Sequence, residues 1–232
     1  KLANLHFVSH DSHKTRLINM GENPKNIFNV GGLGAENIRL MKLHNKKIIE
    51  KKFSINLSKK NIFVAFHPVT KEPFKTKKYF MALITAAKKF REINFIFSYP
   101  NPDPESNKII EILEKEKRNK NFYIIKSFGQ KYFFSLLNNM SGIIGNSSSG
   151  ILEAPSFKIG TLNIGKRQEG RMQSRSIINC LPNTKAIKLG IKKILSITFN
   201  KKLKKIKNIY YKKNTAKHIA KVLINLPKKN NK

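Results

Sequence analysis

The sequence predicts an α/β protein built on a Rossmann-like, doubly wound parallel sheet, and three observations carry that reading. Short, continuous apolar runs bounded by turn residues recur along the chain, the pattern of strands buried on both faces. Segments with apolar residues at helical spacing separate them, and such alternation yields βαβ units. Polar residues collect just after the apolar runs: His67, Asn101, Ser127, the serine run at 147–149, and Gly165 to Arg167. In a parallel sheet that is the carboxyl edge, where ligands bind.

Taken in order, residues 5–8 read as a buried strand and 12–20 as a helix. Residues 26–30 form a second strand running into Gly31-Gly32-Leu33-Gly34, with a short helix near 36–43. Residues 46–60 are charged, with apolar residues at irregular spacing, and read as a helix end and connector. Ile62-Phe63-Val64-Ala65-Phe66 is a continuous apolar strand ending at His67-Pro68. A helix at 77–90 has Tyr79, Ala82, Leu83 and Ala86 on one face, and a strand at 95–98 is closed by Pro100-Asn101-Pro102. The next helix runs from 104 or 105 to 117, with Pro104 suited to its first turn. Then come a strand at 122–125, a helix at 132–137 and a strand at 142–145. A helix starting near Ser148 or Ser149 and strands at 161–164 and 177–180 follow, then helices at 183–196 and 211–226.

At 232 residues the chain is long enough to bury a real core. A formal charge of +34 points by itself to nucleic acid or an anionic membrane. The lysines are spread along the whole chain, however, including runs at 201–207 and 228–232, and no basic stripe interleaved with aromatics appears. Most of this charge is therefore read as solvated surface. The single cysteine, Cys180, excludes an internal disulfide and fits a reducing cytoplasm. No stretch has the length of a membrane span, no signal peptide is apparent, and no His/Asp/Glu spacing suggests a metal site. The start at Lys1, without methionine, suggests a fragment or processed chain.

The chemistry concentrates in Gly145-Asn146-Ser147-Ser148-Ser149-Gly150-Ile151-Leu152-Glu153-Ala154-Pro155 and in Gly165-Lys166-Arg167-Gln168-Glu169-Gly170-Arg171. A strand that turns into a helix through hydroxyl residues offers unpaired N–H groups and a positive dipole end, which suit phosphate. Of 13 acidic residues, only Glu153 and Glu169 lie beyond Glu116, both inside these segments. Glu153 is placed one turn on, where it can accept hydrogen bonds from a ribose diol. Three of the seven arginines fall between 167 and 175, in a chain that otherwise uses lysine. A planar guanidinium grips phosphate at two points, as lysine does not. For the serines alone, a serine-rich turn with a helix cap is the favoured reading; the lone glutamate and the arginine cluster beside them tip it toward phosphate. His67 could simply end a strand, and Asn101 between prolines is a natural turn residue.

These segments, with His67-Pro68-Val69-Thr70, Val30-Gly31-Gly32-Leu33-Gly34-Ala35-Glu36-Asn37 and Gly21-Glu22-Asn23-Pro24, closely resemble the hydrolysing UDP-N-acetylglucosamine 2-epimerases. The similar subgroup makes N-acetylmannosamine for sialic-acid-like sugars. The resemblance implies a glycosyltransferase-B architecture, two Rossmann-like domains with the nucleotide sugar in the cleft between them. Residues 1–45 would be the end of the first domain, 46–60 a connector, 61–210 the nucleotide-binding domain, and 211–232 a C-terminal helix and basic tail. His67 would lie near the diphosphate or sugar as the candidate catalytic residue, and Asn101 would approach the nucleotide. Ser127 would sit where the family's backbone meets uracil. Ser147 and Ser148 would bind phosphate, Glu153 the ribose hydroxyls, and Arg167 the UDP. Gly160 stands where the family usually has proline, a change expected to loosen a turn without removing a contact.

The implied reaction is anti elimination of UDP to a glycal, then addition of water to give the 2-epimer. It uses acid/base carboxylates that the family carries in its first domain, in a region that would precede Lys1. The resemblance implies a UDP-sugar as partner, no cofactor and a homodimer of the full-length protein; composition and spacing lead us to expect no metal, no nucleic acid or membrane partner and a cytoplasmic location. A diacetamido-trideoxy sugar stays open as substrate, as does guanine as the base. A glycosyltransferase of the same architecture and a basic nucleic-acid-binding module are the alternatives.

Overall fold

The computed structural model describes residues 2–226, so the lysine run at 228–232 lies outside the described residues. The chain forms two compact units: residues up to Met41 together with those from Asn208 onward, and Lys42–Lys207.

The first unit opens with β1 (His6–Val8), α1 (Asp11–Asn19), a 3-10 turn at Pro24–Asn26, β2 (Ile27–Asn29) and α2 (Leu33–Leu40). β1 and β2 pair in parallel, His6 against Ile27 and Val8 against Asn29. α2 begins three residues earlier than its periodicity suggests, because Gly32 is already its extended N-cap.

In the second unit, α3 (Lys46–Phe53) occupies most of the stretch expected to be a connector. The Asn45 side chain caps it, accepting from the Ile48 amide at 3.0 Å, and Ile49 is wholly buried. Then follow β3 (Lys60–Ala65), α4 (Thr76–Ala87), β4 (Ile93–Ser98), α5 (Ser106–Glu116), β5 (Phe122–Ile125) and α6 (Gln130–Leu137). β6 (Gly142–Gly145) leads into α7 (Ser149–Leu152) and a 3-10 turn at Ala154–Phe157. β7 (Gly160–Ile164), β8 (Ile177–Cys180), α8 (Thr184–Ile194) and α9 (Ile197–Leu203) complete it. α5 starts at Ser106, not at Pro104, because Glu105 sits in the left-handed region at φ 67°. Its carboxylate accepts from the Thr76 hydroxyl at 2.6 Å, which ties α5 to α4. α9 has no counterpart in the sequence reading; Ser196 caps it by accepting from the Phe199 amide.

The six strands lie in the order β5-β4-β3-β6-β7-β8, and every neighbouring pair is parallel. β3 shows why the strands read as continuous apolar runs. Ile62 and Val64 enter one buried cluster with Phe80, Leu83 and Ile191; Phe63 and Ala65 enter another with Leu136 and Ile143. From β3 the chain winds outward through β4 and β5, then returns to place β6 on the other side of β3. The two windings therefore diverge between the ends of β3 and β6, which opens a crevice at the carboxyl edge.

Gly160 does more than loosen a turn. A Cβ there would stand 2.9 Å from the Phe199 ring and 3.1 Å from Ile194 Cβ, so its bareness lets α8 and α9 pack on the start of β7. The C-terminal segment belongs to the first unit. α10 (Thr215–Ile224) is anchored there by the Thr215 hydroxyl donating to the Val30 carbonyl at 2.8 Å. The Ala216 amide donates to the Glu36 carboxylate at 3.1 Å, which accounts for the burial of Glu36. No helix among the described residues is long and apolar enough to cross a membrane, and none of their His/Cys/Asp/Glu groupings could hold a metal ion.

Candidate functional site

The site is built at the crevice between β3 and β6. Gly145, the last residue of β6, has φ +133°, and a Cβ on it would lie 1.9 Å from the Ala65 carbonyl oxygen. Only glycine fits. Asn146 follows, fully buried, and its amide donates to the Ala65 carbonyl at 3.1 Å. Its side chain then continues the ladder where the strands part: Oδ1 accepts from the His67 amide at 2.7 Å, and Nδ2 donates to the His67 carbonyl at 2.8 Å. Its own carbonyl accepts from Arg167 Nη1 at 3.2 Å and from Gln168 Nε2 at 2.8 Å. One asparagine thus joins β3, β6 and the loop after β7.

His67 is buried, and its Nδ1 accepts the Asn101 amide proton at 3.2 Å. That fixes the proton of the neutral ring on Nε2. Burial, reinforced by the Arg167 guanidinium and opposed by Asp103, lowers its pKa from 6.5 to about 4. At neutral pH the imidazole is therefore an uncharged donor. Because the folded value lies below the unfolded one, the unfolded chain binds the extra proton between pH 6.5 and about 4. Stability should fall as pH drops through that window, and His67→Gln should flatten the slope in urea melts taken at pH 4 and pH 7.

The cleft beside His67 has a volume of about 660 Å³ and is lined by residues 68–72, Asp103, Lys166, Arg167, Glu169 and Gly170. The sequence reading left only Glu153 and Glu169 as acids near the motif; the structure adds Glu72 and Asp103. Asp103 Oδ2 is buried without a hydrogen-bond partner. Burial also lowers the Arg167 pKa, with Asp103 opposing.

Ser147 and Ser148 lie in the turn directly after Asn146. Ser147 Oγ accepts from the Ser149 amide at 3.3 Å, and the Ser148 carbonyl accepts from the amides of Ile151 and Leu152. The Ser148 side chain makes no capping bond. Among the described residues, nothing accepts from the amides of Ser147 and Ser148. The expected helix dipole is slight here, since α7 has four residues. Pro155, lacking an N–H, cannot continue its ladder, and a 3-10 turn takes over. The donors of this turn are thus its free amides and hydroxyls.

Glu153 stands at that junction. Its Oε2 is buried without a hydrogen-bond partner, and burial raises its pKa, against the Ser149 hydroxyl and the charge of Arg171. The structure therefore brings His67, Asn101, Arg167 and the serine turn into one bonded lattice. Glu153 lies one short helix away, outside the lining of the 660 Å³ cleft, as do both serines. Ser127 is not brought in: it is exposed beyond β5, the outermost strand on its side. Asn101 is exposed and reaches His67 through its backbone, so its side chain is not what the lattice uses. Asn146, Gln168 and Asp103 were missed. Asn146 and Gln168 sat inside the quoted motifs, but their partners come from distant strands.

The family profile described as UDP-N-acetylglucosamine 2-epimerase matches residues 1–224. The chain is 36% identical over 181 residues to the GDP/UDP-N,N'-diacetylbacillosamine 2-epimerase (hydrolyzing) of Campylobacter jejuni, covering 77% of this chain and 47% of that protein. It is 33% identical over 233 residues to the polysialic acid biosynthesis protein P7 of Escherichia coli, covering 100% of this chain and 59% of that protein. The chain thus spans about half the length of the curated relatives it matches. Among solved structures, UDP-GlcNAc 2-epimerase from Neisseria meningitidis bound to UDP-GlcNAc superposes with a TM-score of 0.78 at 19% identity, over 96% of this chain and 62% of that one. The fold is that of the second Rossmann-like domain of the glycosyltransferase-B architecture, with the end of the first.

Proposed function

Because the chain belongs to the UDP-N-acetylglucosamine 2-epimerase family, we propose that it carries the nucleotide-binding half of an enzyme that epimerises a UDP-activated N-acetyl sugar at C2 with release of UDP. The observation that supports this most is the convergence on one peptide. The guanidinium of Arg167 is bonded to the Asn146 carbonyl, and the next two residues present free amides. Together they offer the guanidinium and backbone N–H donors that a phosphate group accepts from. In this reading Ser147, Ser148 and Arg167 hold the diphosphate. Glu153 accepts from the ribose hydroxyls, and neutral His67 donates through Nε2–H to the diphosphate or sugar. Asn101 stands beside the nucleotide through its backbone amide, which holds His67, and Ser127 at the sheet's outer edge takes no part.

The reaction is elimination followed by hydration. A base removes the C2 proton as the C1–O bond to UDP breaks, and a C1–C2 double bond forms. Water then gives hydroxyl to C1 and a proton to the opposite face of C2, yielding N-acetylmannosamine or its diacetamido analogue. Charge develops on the departing UDP, so the donors at the serine turn stabilise the transition state more than the ground state. The acid/base carboxylates are those the family carries in its first domain, and the 232-residue polypeptide alone is expected to bind nucleotide weakly at most and not to turn over. The full-length protein would act in the cytoplasm as a homodimer, in a pathway toward sialic-acid-like sugars.

Calorimetry tests the binding half of this reading. UDP should bind at moderate salt with one site per chain and more tightly than GDP. Heat that depends steeply on salt, with equal response to any polyanion, would instead indicate bulk attraction to the +34 surface. Product assays on the full-length protein, with no sugar acceptor added, should release UDP; a glycosyltransferase would wait for its acceptor.

A further inference from the structure

Two polar side chains at the crevice touch no open cleft and yet hold it together. Asn146 is 0% exposed, and its four polar atoms all find partners: Ala65, His67 twice, Arg167 and Gln168. Gln168 is 2% exposed and absent from the cleft lining, although Arg167, Glu169 and Gly170 all line it. Its amide can point only one way, because the reverse orientation would set Oε1 against the Asn146 carbonyl oxygen. Oε1 is consequently left buried without a partner. A buried amide that is only half satisfied is a net cost to folding unless its satisfied half fixes something else.

What it fixes is the peptide joining Asn146 to Ser147. That peptide's carbonyl is clamped by Gln168 and Arg167, and its N–H is one of the free donors of the serine turn. A peptide is planar, so locking the carbonyl aims the N–H. The Asn146 side chain meanwhile replaces two backbone bonds of His67 and so sets the strand end from which the imidazole projects. We infer that Asn146 and Gln168 are positioning residues of the nucleotide site: Asn146 orients His67, and Gln168 aims the Ser147 amide by holding the Asn146 carbonyl. This rests on the reading of the crevice as a diphosphate site.

The test uses the 232-residue chain with Gln168→Met, which keeps the volume and removes the donor, and Asn146→Asp, which keeps Oδ1 and removes Nδ2–H. Four quantities are measured: the thermal midpoint, UDP affinity by calorimetry, and, without nucleotide, the ring 15N shifts of His67 and the amide 15N shift of Ser147. Wild type should show a single Nε2–H tautomer. Asn146→Asp should shift the His67 ring signals, mix the tautomers and weaken UDP. Gln168→Met should melt near wild type, bind UDP about tenfold more weakly, and move the 15N shift of the Ser147 amide. Folded variants with wild-type UDP affinity and unchanged His67 and Ser147 signals overturn the inference. If wild type binds no UDP, the nucleotide reading fails, while the ligand-free shifts of His67 and Ser147 still decide the positioning roles. If Asn146→Asp does not fold, Gln168→Met carries the decision through the Ser147 signal.

Discussion

Gly145→Ala is expected to destabilise the second unit by about 4 kcal/mol or more, a size reserved for substitutions with a specific steric cause. The cause is on both sides of the residue. Its φ of +133° lies where an L side chain is strained. The added Cβ would also fall 1.9 Å from the Ala65 oxygen and 2.6 Å from the Ala65 carbon. Neither atom can swing away, because both belong to the backbone of β3. Relief requires β6 to withdraw from β3, and that breaks the Asn146 amide bond to Ala65 and the Asn146 clamp on His67. Equilibrium urea unfolding should place the midpoint far below wild type, or give no folded baseline. A midpoint within 1 kcal/mol of wild type (about a fivefold change in the folded ratio) would mean that the β3–β6 approach is looser than described.

Glu153→Gln is expected to do two opposite things. Ligand-free protein should become more stable at neutral pH, and UDP should bind about a hundredfold more weakly. The first follows from the buried Oε2, which has no partner and whose burial raises the carboxyl pKa. A raised acid binds its proton more readily in the folded than in the unfolded state. Its favourable contribution is present below the unfolded value near 4.5 and is lost as pH rises through the folded value. At neutral pH the ionised group is therefore a liability that glutamine lacks. The second effect follows from charge: a carboxylate accepting from a diol gives hydrogen bonds of about 1.5–3 kcal/mol, and an amide oxygen gives less. Thermal melts at pH 5 and pH 8 check the first part, with the gain larger at pH 8; calorimetry with UDP checks the second. A variant that is both less stable and equally tight for UDP would remove Glu153 from the site.

Much of this architecture was legible along the chain, because strands buried on both faces must be continuously apolar. Ile62 to Ala65 carries that signature openly, since β3 feeds two core clusters at once. The edges were less legible. α9 and the start of α5 depend on single residues, the Ser196 cap and the left-handed Glu105, whose conformations are set by their neighbours in space. The stretch at 46–60 hid α3 because just one of its eight residues, Ile49, is buried, too few to make a helical period stand out.

The same division runs through the site. His67, Ser147, Ser148, Glu153 and Arg167 could be picked out by residue type and by their place after apolar runs, since a parallel sheet delivers such residues to one edge whatever the strand order. Strand order itself is non-local. That β6 returns to lie beside β3, and so sets Asn146 against His67 across 79 positions of sequence, follows from the packing of both sheet faces. With it came the bonds made by Asn146 and Gln168, the neutral state of His67 and the edge position of Ser127. Each depends on what surrounds a group in space, because burial and hydrogen bonding fix a side chain's charge and aim, and neighbours in sequence do not.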